Sequence, residues 1–292
     1  MRAAWRGRIK TVELLIAAGA DVDLGRTTNG ASPLFVAAQE GHSEVVAKLI
    51  AAGAEVDRSR VVDVTALLIA AYKGHVDVVE HLIAAGANLN QVTTDDGSTP
   101  LFLAAMNGHT AVATLLVTAG ADVTIARTST GSHPLIAAAQ NGFAAVVDLL
   151  IGAGADMNCP RKDDGNTPLF MAASHGHTEV VASLVAGGAV LDIGRTHDGC
   201  TPLCIASQGG HTKAVDKLIS AGADVSKGAF VGASPLALLA CLCIRLFFLD
   251  SPTRHLLLLF FLLFSFLFLP AQPRRRTVPF PSIAPLIEAT QR

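Results

Sequence analysis

The chain has 292 residues, 51% of them apolar and 16% charged, and its 22 basic and 24 acidic side chains leave a formal charge of −2. Such a composition can bury a sizeable core and argues against disorder throughout, while the near balance of charge gives no general attraction for nucleic acid or for an anionic membrane surface. Five cysteines, Cys159, Cys200, Cys204, Cys241 and Cys243, are an odd number without framework spacing; they predict free, mostly buried thiols in a reducing compartment.

The first ten residues, "MRAAWRGRIK", contain no apolar run that could serve as a signal peptide, so the main body is expected to be intracellular and cytoplasmic. From there the chain repeats itself. Ser/Thr-Pro-Leu and its variants anchor at Ser32, Thr65, Thr99, His133, Thr167, Thr201 and Ser234, at separations of 33 or 34 residues. Two further columns keep the same period: Gly7, Gly41, Gly74, Gly108, Gly142, Gly176 and Gly210, and the Gly-Ala pairs that begin at Gly19, Gly53, Gly86, Gly120, Gly154, Gly188 and Gly222. A shared period of this length is the mark of a stacked repeat array.

Each column predicts an element. A hydroxyl before proline starts a helix, with the hydroxyl as N-cap and the proline at the first helical position. That helix is short, because the column glycine soon follows and ends it in the left-handed conformation, as Gly41 follows Leu34. A second helix comes next, as in "SEVVAKLIAAG" from Ser43 to Gly53, where Val45, Val46, Leu49 and Ile50 form one apolar stripe. Asn-Gly and Asp-Gly steps at Asn29, Asp96, Asp164 and Asp198 then favour a tight reversing turn between extended arms.

Thr-Pro-Leu, paired alanines, Gly-His, paired valines and Gly-Ala-Asp in this order resemble the ankyrin repeat, over roughly residues 3 to 227. The resemblance implies an all-α solenoid of stacked helix-turn-helix units with projecting β-turn fingers, comprising a partial first repeat and six full ones within residues 1–230. It also implies that first helices and fingers line a concave groove while the second helices form the back. The histidine usual after Thr-Pro-Leu is replaced by Phe35, Leu68, Phe102, Ile136, Phe170 and Cys204, which predicts apolar packing between repeats in place of a polar contact. The repeat at Thr65, "VVDVTALL", lacks both the proline and the turn glycine, and its hairpin is expected to differ.

Several residues invite a chemical reading. His177 falls in the Gly-His column with His42, His75, His109 and His211 and is expected to be structural; His175 lies outside that column. Cys200 and Cys204 have a C-x3-C spacing without a second ligand pair, so packing explains them better than metal does. Asp163 and Asp164 precede a turn glycine. No nucleophile motif, phosphate loop or dinucleotide fingerprint is present, so no catalytic residue, cofactor, metal or small-molecule substrate is assigned. The expected activity is non-enzymatic: a scaffold binding an unidentified partner protein, not nucleic acid, in the groove.

The expected contacts are the variable pairs before each column glycine: Gln39 and Glu40, Tyr72 and Lys73, Met106 and Asn107, Gln140 and Asn141, Ser174 and His175, and Gln208 beside Gly209. A basic column, Arg26, Arg60, Arg127, Arg161 and Arg195, with Lys227 close to the register and Thr93 as its gap, falls on the fingers. Two readings compete for it. Each arginine either pairs with the acid of the Gly-Ala-Asp loop (Asp21, Glu55, Asp122, Asp156) or contributes to a ladder facing an acidic partner; Arg26, Arg127, Arg161 and Arg195 are carried as candidate contacts.

After Ser234-Pro235-Leu236 the period breaks, leaving a degenerate eighth repeat (231–249) and an apolar, Pro/Arg-rich tail (250–292). The 14 residues Leu256 to Leu269 would make a helix of about 21 Å, short of a hydrocarbon core of about 30 Å. Three readings stand: a membrane anchor spanning residues 236–271, which would bury Arg245 at about 3 kcal/mol; a cap on the solenoid; or a truncated or misjoined gene model, since the chain also starts inside a repeat.

Overall fold

In the computed structural model, helices start where a hydroxyl was expected to cap them. Ser32, Thr65, Thr99, Thr167 and Thr201 each accept, through the side-chain oxygen, the amide hydrogen three residues on, at 3.1–3.3 Å. The structure describes residues 1–25, 30–59 and 63–227, all within one compact unit, Met1–Arg245. Among the described residues there are 14 helices and no strand. In chain order they are α1 (Arg2–Trp5), α2 (Ile9–Ala17), α3 (Pro33–Glu40), α4 (Ser43–Ala51), α5 (Ala66–Lys73), α6 (Val76–Ala84) and α7 (Pro100–Asn107). There follow α8 (Thr110–Thr118), α9 (Pro134–Asn141), α10 (Ala144–Gly152), α11 (Pro168–Ser174), α12 (Thr178–Ala186), α13 (Pro202–Gln208) and α14 (Thr212–Ser220).

The helices form seven pairs, and the pairs stack in two rows. Odd-numbered helices pack on odd-numbered neighbours from α1 to α13, and even-numbered ones on even-numbered neighbours from α2 to α14. Two alanines and a leucine in each of α3, α5, α7, α9 and α11, such as Leu101, Ala104 and Ala105 in α7, and Leu203 with Ala206 in α13, meet the stripe of the even helix, such as Val112, Ala113 and Leu116 in α8, and all are buried. Small residues allow close approach of the rows, and the apolar face of one pair is covered only by its neighbours. α3, α5, α7 and α9 end as expected, with Gly41, Gly74, Gly108 and Gly142 in the left-handed conformation, whereas α11 and α13 are capped one residue earlier, at His175 and Gly209, before the left-handed Gly176 and Gly210.

The fingers are closed by two backbone hydrogen bonds. Arg127 donates its amide hydrogen to Ser132 and receives that of Gly131 on its carbonyl, and Thr93, Arg161 and Arg195 do the same with Ser98 and Gly97, Asn166 and Gly165, and Cys200 and Gly199. In the finger before Thr65, residues 60–62 lie outside the described residues. Asp63 there adopts φ 55° at the position held by glycine in the other fingers; aspartate is among the side chains that best tolerate that region. The departure seen in "VVDVTALL" is thus partly absorbed by a left-handed aspartate.

His133 is the one anchor of a described helix without a side-chain cap. Its Nδ1 is buried with no hydrogen-bond partner, and burial lowers its pKa against the opposing charge of Asp156. His133→Thr is expected to stabilise the array by about 1 kcal/mol, the worth of a helix cap. The unfolded chain takes up this proton first, so the stability tied to the neutral imidazole is complete above about pH 6.5 and is lost as pH falls through the depressed folded value. Thermal melting of the two proteins between pH 7.5 and 5 checks this: the advantage of the threonine variant should widen on acidification, and a constant difference counts against it.

Candidate partner-binding surface

The residues before each column glycine occupy the last turn of each odd helix, and their main chain has a defined partner. The Nε2–H of His42, His75, His109, His177 and His211 donates to the carbonyl of Trp5, Gln39, Tyr72, Gln140 and Ser174 respectively, at 2.9–3.1 Å. A carbonyl only accepts, so this geometry selects the tautomer protonated on Nε2. The Gly-His column is therefore an inter-repeat clamp, and His177 is structural as expected. The same rings explain the glycines: a Cβ at Gly41, Gly74, Gly142 or Gly176 would lie 2.5–2.9 Å from the histidine of the next repeat.

One junction uses other chemistry. Phe143 stands where the others have histidine, and its ring fills the space beside Gly108 without offering a donor. Asn141 supplies it instead: Nδ2 donates to the carbonyl of Met106 at 3.1 Å and to that of Ala137 at 3.0 Å. Asn141→Ala is expected to cost about 1–2 kcal/mol through the orphaned carbonyls. Phe143→His should recover most of that loss in the Asn141→Ala background and change little alone; urea midpoints of the four proteins test it, and additivity would refute the exchange. The Phe143 gap in the Gly-His column was visible in the sequence, but the compensating amide was not.

The candidate contact residues are placed as follows. Glu40, Lys73, Asn141, His175 and Gln208 are exposed, while Gln39, Tyr72, Met106, Asn107, Gln140 and Ser174 are half-buried. The Lys73 ammonium lies 5.8 Å from the Tyr72 ring centroid, and the His175 ring stacks on His177 at 5.8 Å. Several side chains are tied back to their own helix: Gln39 donates to Glu40 at 2.9 Å, Asn107 to the Leu103 carbonyl at 2.7 Å, Ser174 Oγ to that of Met171 at 2.9 Å, and Gln208 Nε2 to Cys204 Sγ at 3.5 Å.

The basic column departs from the expected pairing with the Gly-Ala-Asp acids. Arg127 pairs with Asp96 of the preceding finger, Arg161 with Asp163 at 2.6 Å, and Arg195 with Asp198. The expected partners in the Gly-Ala-Asp loops, Asp122 and Asp156, are not the ones used. A finger arginine meets a turn acid because both project from the same or adjacent fingers. Burial alone would push the Asp96 carboxyl upward, yet hydrogen bonds from Ser98, Thr93 and Arg127 outweigh it and hold it below the usual carboxylate range. The guanidinium groups of Arg127 and Arg195 lie 5.6 and 5.5 Å from the ring centroids of Phe102 and Phe170, so the aromatic residues that replace the usual histidine also seat the arginines. Arg26 and Arg60 lie outside the described residues.

The other tempting residues are accounted for by packing. Cys200 and Cys204 are buried in a small cluster with Ile136, Phe170 and Met171. Burial and the Asp156 charge push the Cys159 thiol up to about 11, away from a reactive thiolate. Asp163 and Asp164 both face Arg161. Among the described residues no three histidine, cysteine or acidic side chains gather where they could hold a metal ion. A ladder absent from the sequence reading joins successive loops: Asp23, Asp57, Asn90, Asn158 and Asp192 accept the backbone amide of Glu55, Asn88, Asp122, Val190 and Asp224 at 2.8–3.1 Å.

The family model "Ankyrin repeats (3 copies)" matches residues 1–93, 49–127, 67–160 and 135–229, overlapping segments that together span more than three quarters of the chain. The chain belongs to the ankyrin-repeat family. No curated protein sequence matches it significantly. Among solved structures, the ankyrin repeat domain of Bcl-3, described as a unique member of the IkappaB protein family, is similar at 26% identity and a TM-score of 0.64, covering 74% of this chain and 96% of that one. Ankyrin repeats are in general non-enzymatic modules of protein–protein interaction, and no catalytic family is found in this chain.

Proposed function

We propose that this ankyrin array is a cytoplasmic, non-enzymatic scaffold that binds a partner protein across the ends of its odd helices. The observation that carries the proposal is the placement of Tyr72, Met106 and His175 at the ends of α5, α7 and α11: Tyr72 and Met106 occupy the repeated site whose carbonyl is clamped, and His175 follows the clamped Ser174 directly. A rigid row of distinct side chains suits recognition of an extended protein surface, and aromatic residues and methionine are enriched at interface centres. The finger arginines are engaged in ion pairs and stacking, so they contribute to binding only by exchanging those partners. The test uses a partner recovered on the full chain. Tyr72→Ala, Met106→Ala and His175→Ala should each weaken it by about five- to thirtyfold, corresponding to 1–2 kcal/mol, with little change in melting temperature. A larger loss from Glu80→Ala or Lys217→Ala, on exposed positions of the even helices, would show that the partner binds the opposite face.

A second proposal concerns residues 236–271, which lie outside the described residues: that they tether the array to a membrane. The run from Leu256 to Leu269, apolar except for Ser265, supports it. Among the described residues no helix is long and apolar enough to cross a membrane. Resistance of the full chain to alkaline carbonate extraction, abolished by Leu259→Arg with Leu263→Arg, is the expected result. Release of the unaltered chain by carbonate would refute the tether.

A further inference from the structure

We infer that the array carries a hinge inside it, between α8 and α10, where the row of even helices parts while the odd helices and the fingers hold. Five even helices are tied at both ends to the repeat before them. At the N-cap, His42 of α4, His75 of α6, His109 of α8, His177 of α12 and His211 of α14 each hold a carbonyl of the preceding odd helix. Beyond the C-terminus, the amides of Glu55, Asn88, Asp122, Val190 and Asp224 donate to an aspartate or asparagine of the preceding loop. Among the described helices from α4 to α14, α10 alone of the even row has neither tie. Its N-cap is Phe143, which has no donor. The residue that stands to Asp156 as Asn90 stands to Asp122, 32 positions earlier, is Thr124. Its hydroxyl is turned into its own loop, donating to Asp122 at 2.6 Å.

Two independent columns thus lapse at the same joint, and what still crosses it lies on the other side of the stack. Asn141, at the end of α9, holds the Met106 carbonyl of α7. In the fingers Arg127 pairs with Asp96, and the Ser129 amide donates to the Asp96 carbonyl at 3.3 Å. On the even side the Phe143 ring beside Gly108 is an apolar contact; such contacts are non-directional and permit a tilt that a hydrogen bond would resist. The last turn of α10 is weakened as well. Gly152 stands where α4, α6 and α12 have Ala51, Ala84 and Ala186, and a Cβ there would meet nothing within 4 Å, so packing does not call for a glycine that costs helix stability. Rotation about the tied odd side changes the inclination of one half of the array to the other. Applied to the groove proposal, on which this consequence alone rests, each half of the contact row stays rigid and the bend falls between Met106 and Gln140, letting the row close on partners of different curvature.

Hydrogen exchange of the full chain, with no partner added, tests the hinge independently of the groove. The Ala155 amide is bonded to the Leu150 carbonyl just as those of Ala87, Ala121 and Ala189 are to Leu82, Leu116 and Leu184, so equal protection is the expectation for a uniform stack. Through local opening, Ala155 is expected to exchange at least about tenfold faster than the other three, and Thr124→Asn with Phe143→His should bring it within about threefold of them. The converse pair, Asn90→Thr with His109→Phe, should move the fast exchange to Ala121. Spin labels on encoded amino acids at the exposed positions Asp77 and Ala145, which span the joint, should give a broader distance distribution than labels at Glu44 and Ala111, and the repaired joint should narrow it. The inference is overturned if Ala155 is as protected as its equivalents, if the two label pairs give equal widths, or if the converse pair leaves Ala121 unchanged. It is also overturned if Gly152→Ala alone slows Ala155 while the repaired joint does not, since fraying of α10 would then be the whole effect.

Discussion

Gly74→Ala is expected to lower the stability of the array by about 3 kcal/mol, a left-handed alanine accounting for about 1–2 kcal/mol and loss of the bond from His109 to the Tyr72 carbonyl for about 1 kcal/mol. Gly74 has φ 79°, and a Cβ there would stand 2.6 Å from His109 Nδ1. Gly86 provides the control. Its φ is 81°, but nothing lies within 4 Å of the Cβ position, so Gly86→Ala should cost only the backbone strain. The difference between the two, read from urea midpoints, measures the displacement of the ring. Equal losses would mean that the glycines serve backbone conformation alone and that the histidine rings move aside freely.

The second large effect is expected in the row of even helices. Leu116 is fully buried in α8, and truncating such a leucine to alanine costs about 3–5 kcal/mol through lost transfer energy and the cavity left behind. In a closed globule that loss is shared by the whole cooperative unit. A stack in which α8 meets only α6, α7 and α10 as close neighbours should express it locally. Hydrogen exchange of Leu116→Ala is expected to show α7 to α10 opening first, with α3 and α13 keeping more of their protection. Uniform loss of protection from end to end would contradict nearest-neighbour stacking.

Helix starts, helix stops and the buried stripes were legible in the sequence because each depends on short-range chemistry: a hydroxyl that caps, a glycine that turns left-handed, a valine pair at helical spacing. The apolar fate of Phe35, Leu68, Phe102, Ile136, Phe170 and Cys204 was also legible, and all are buried. What the sequence did not disclose depends on which residue lies opposite across a junction. The register of Arg127 against Asp96, rather than against a Gly-Ala-Asp acid, follows from the stacking of one finger beside the next, where the Ser129 amide also donates to the Asp96 carbonyl at 3.3 Å. The service of Asn141 in place of a histidine at 143 needs the same knowledge, since the shared acceptor, the Met106 carbonyl, lies 35 residues from the amide that reaches it. The periodicity placed the candidate contacts at equivalent helix ends, whereas the internal tethering of Asn107, Ser174 and Gln208 came only with the structure.

The clamp that joins successive repeats grips residues 5, 39, 72, 106, 140 and 174 by their carbonyl oxygens alone. Every amino acid carries that atom, so the fastening places little demand on which side chain follows it. Trp, Gln, Tyr, Met, Gln and Ser all occur there, under the same joint. The grammar of assembly is thereby separated from its vocabulary: mutation can rewrite the proposed recognition row one letter at a time while the joint beneath it stays closed. An array built in this way can drift toward a new partner without passing through an unfolded intermediate.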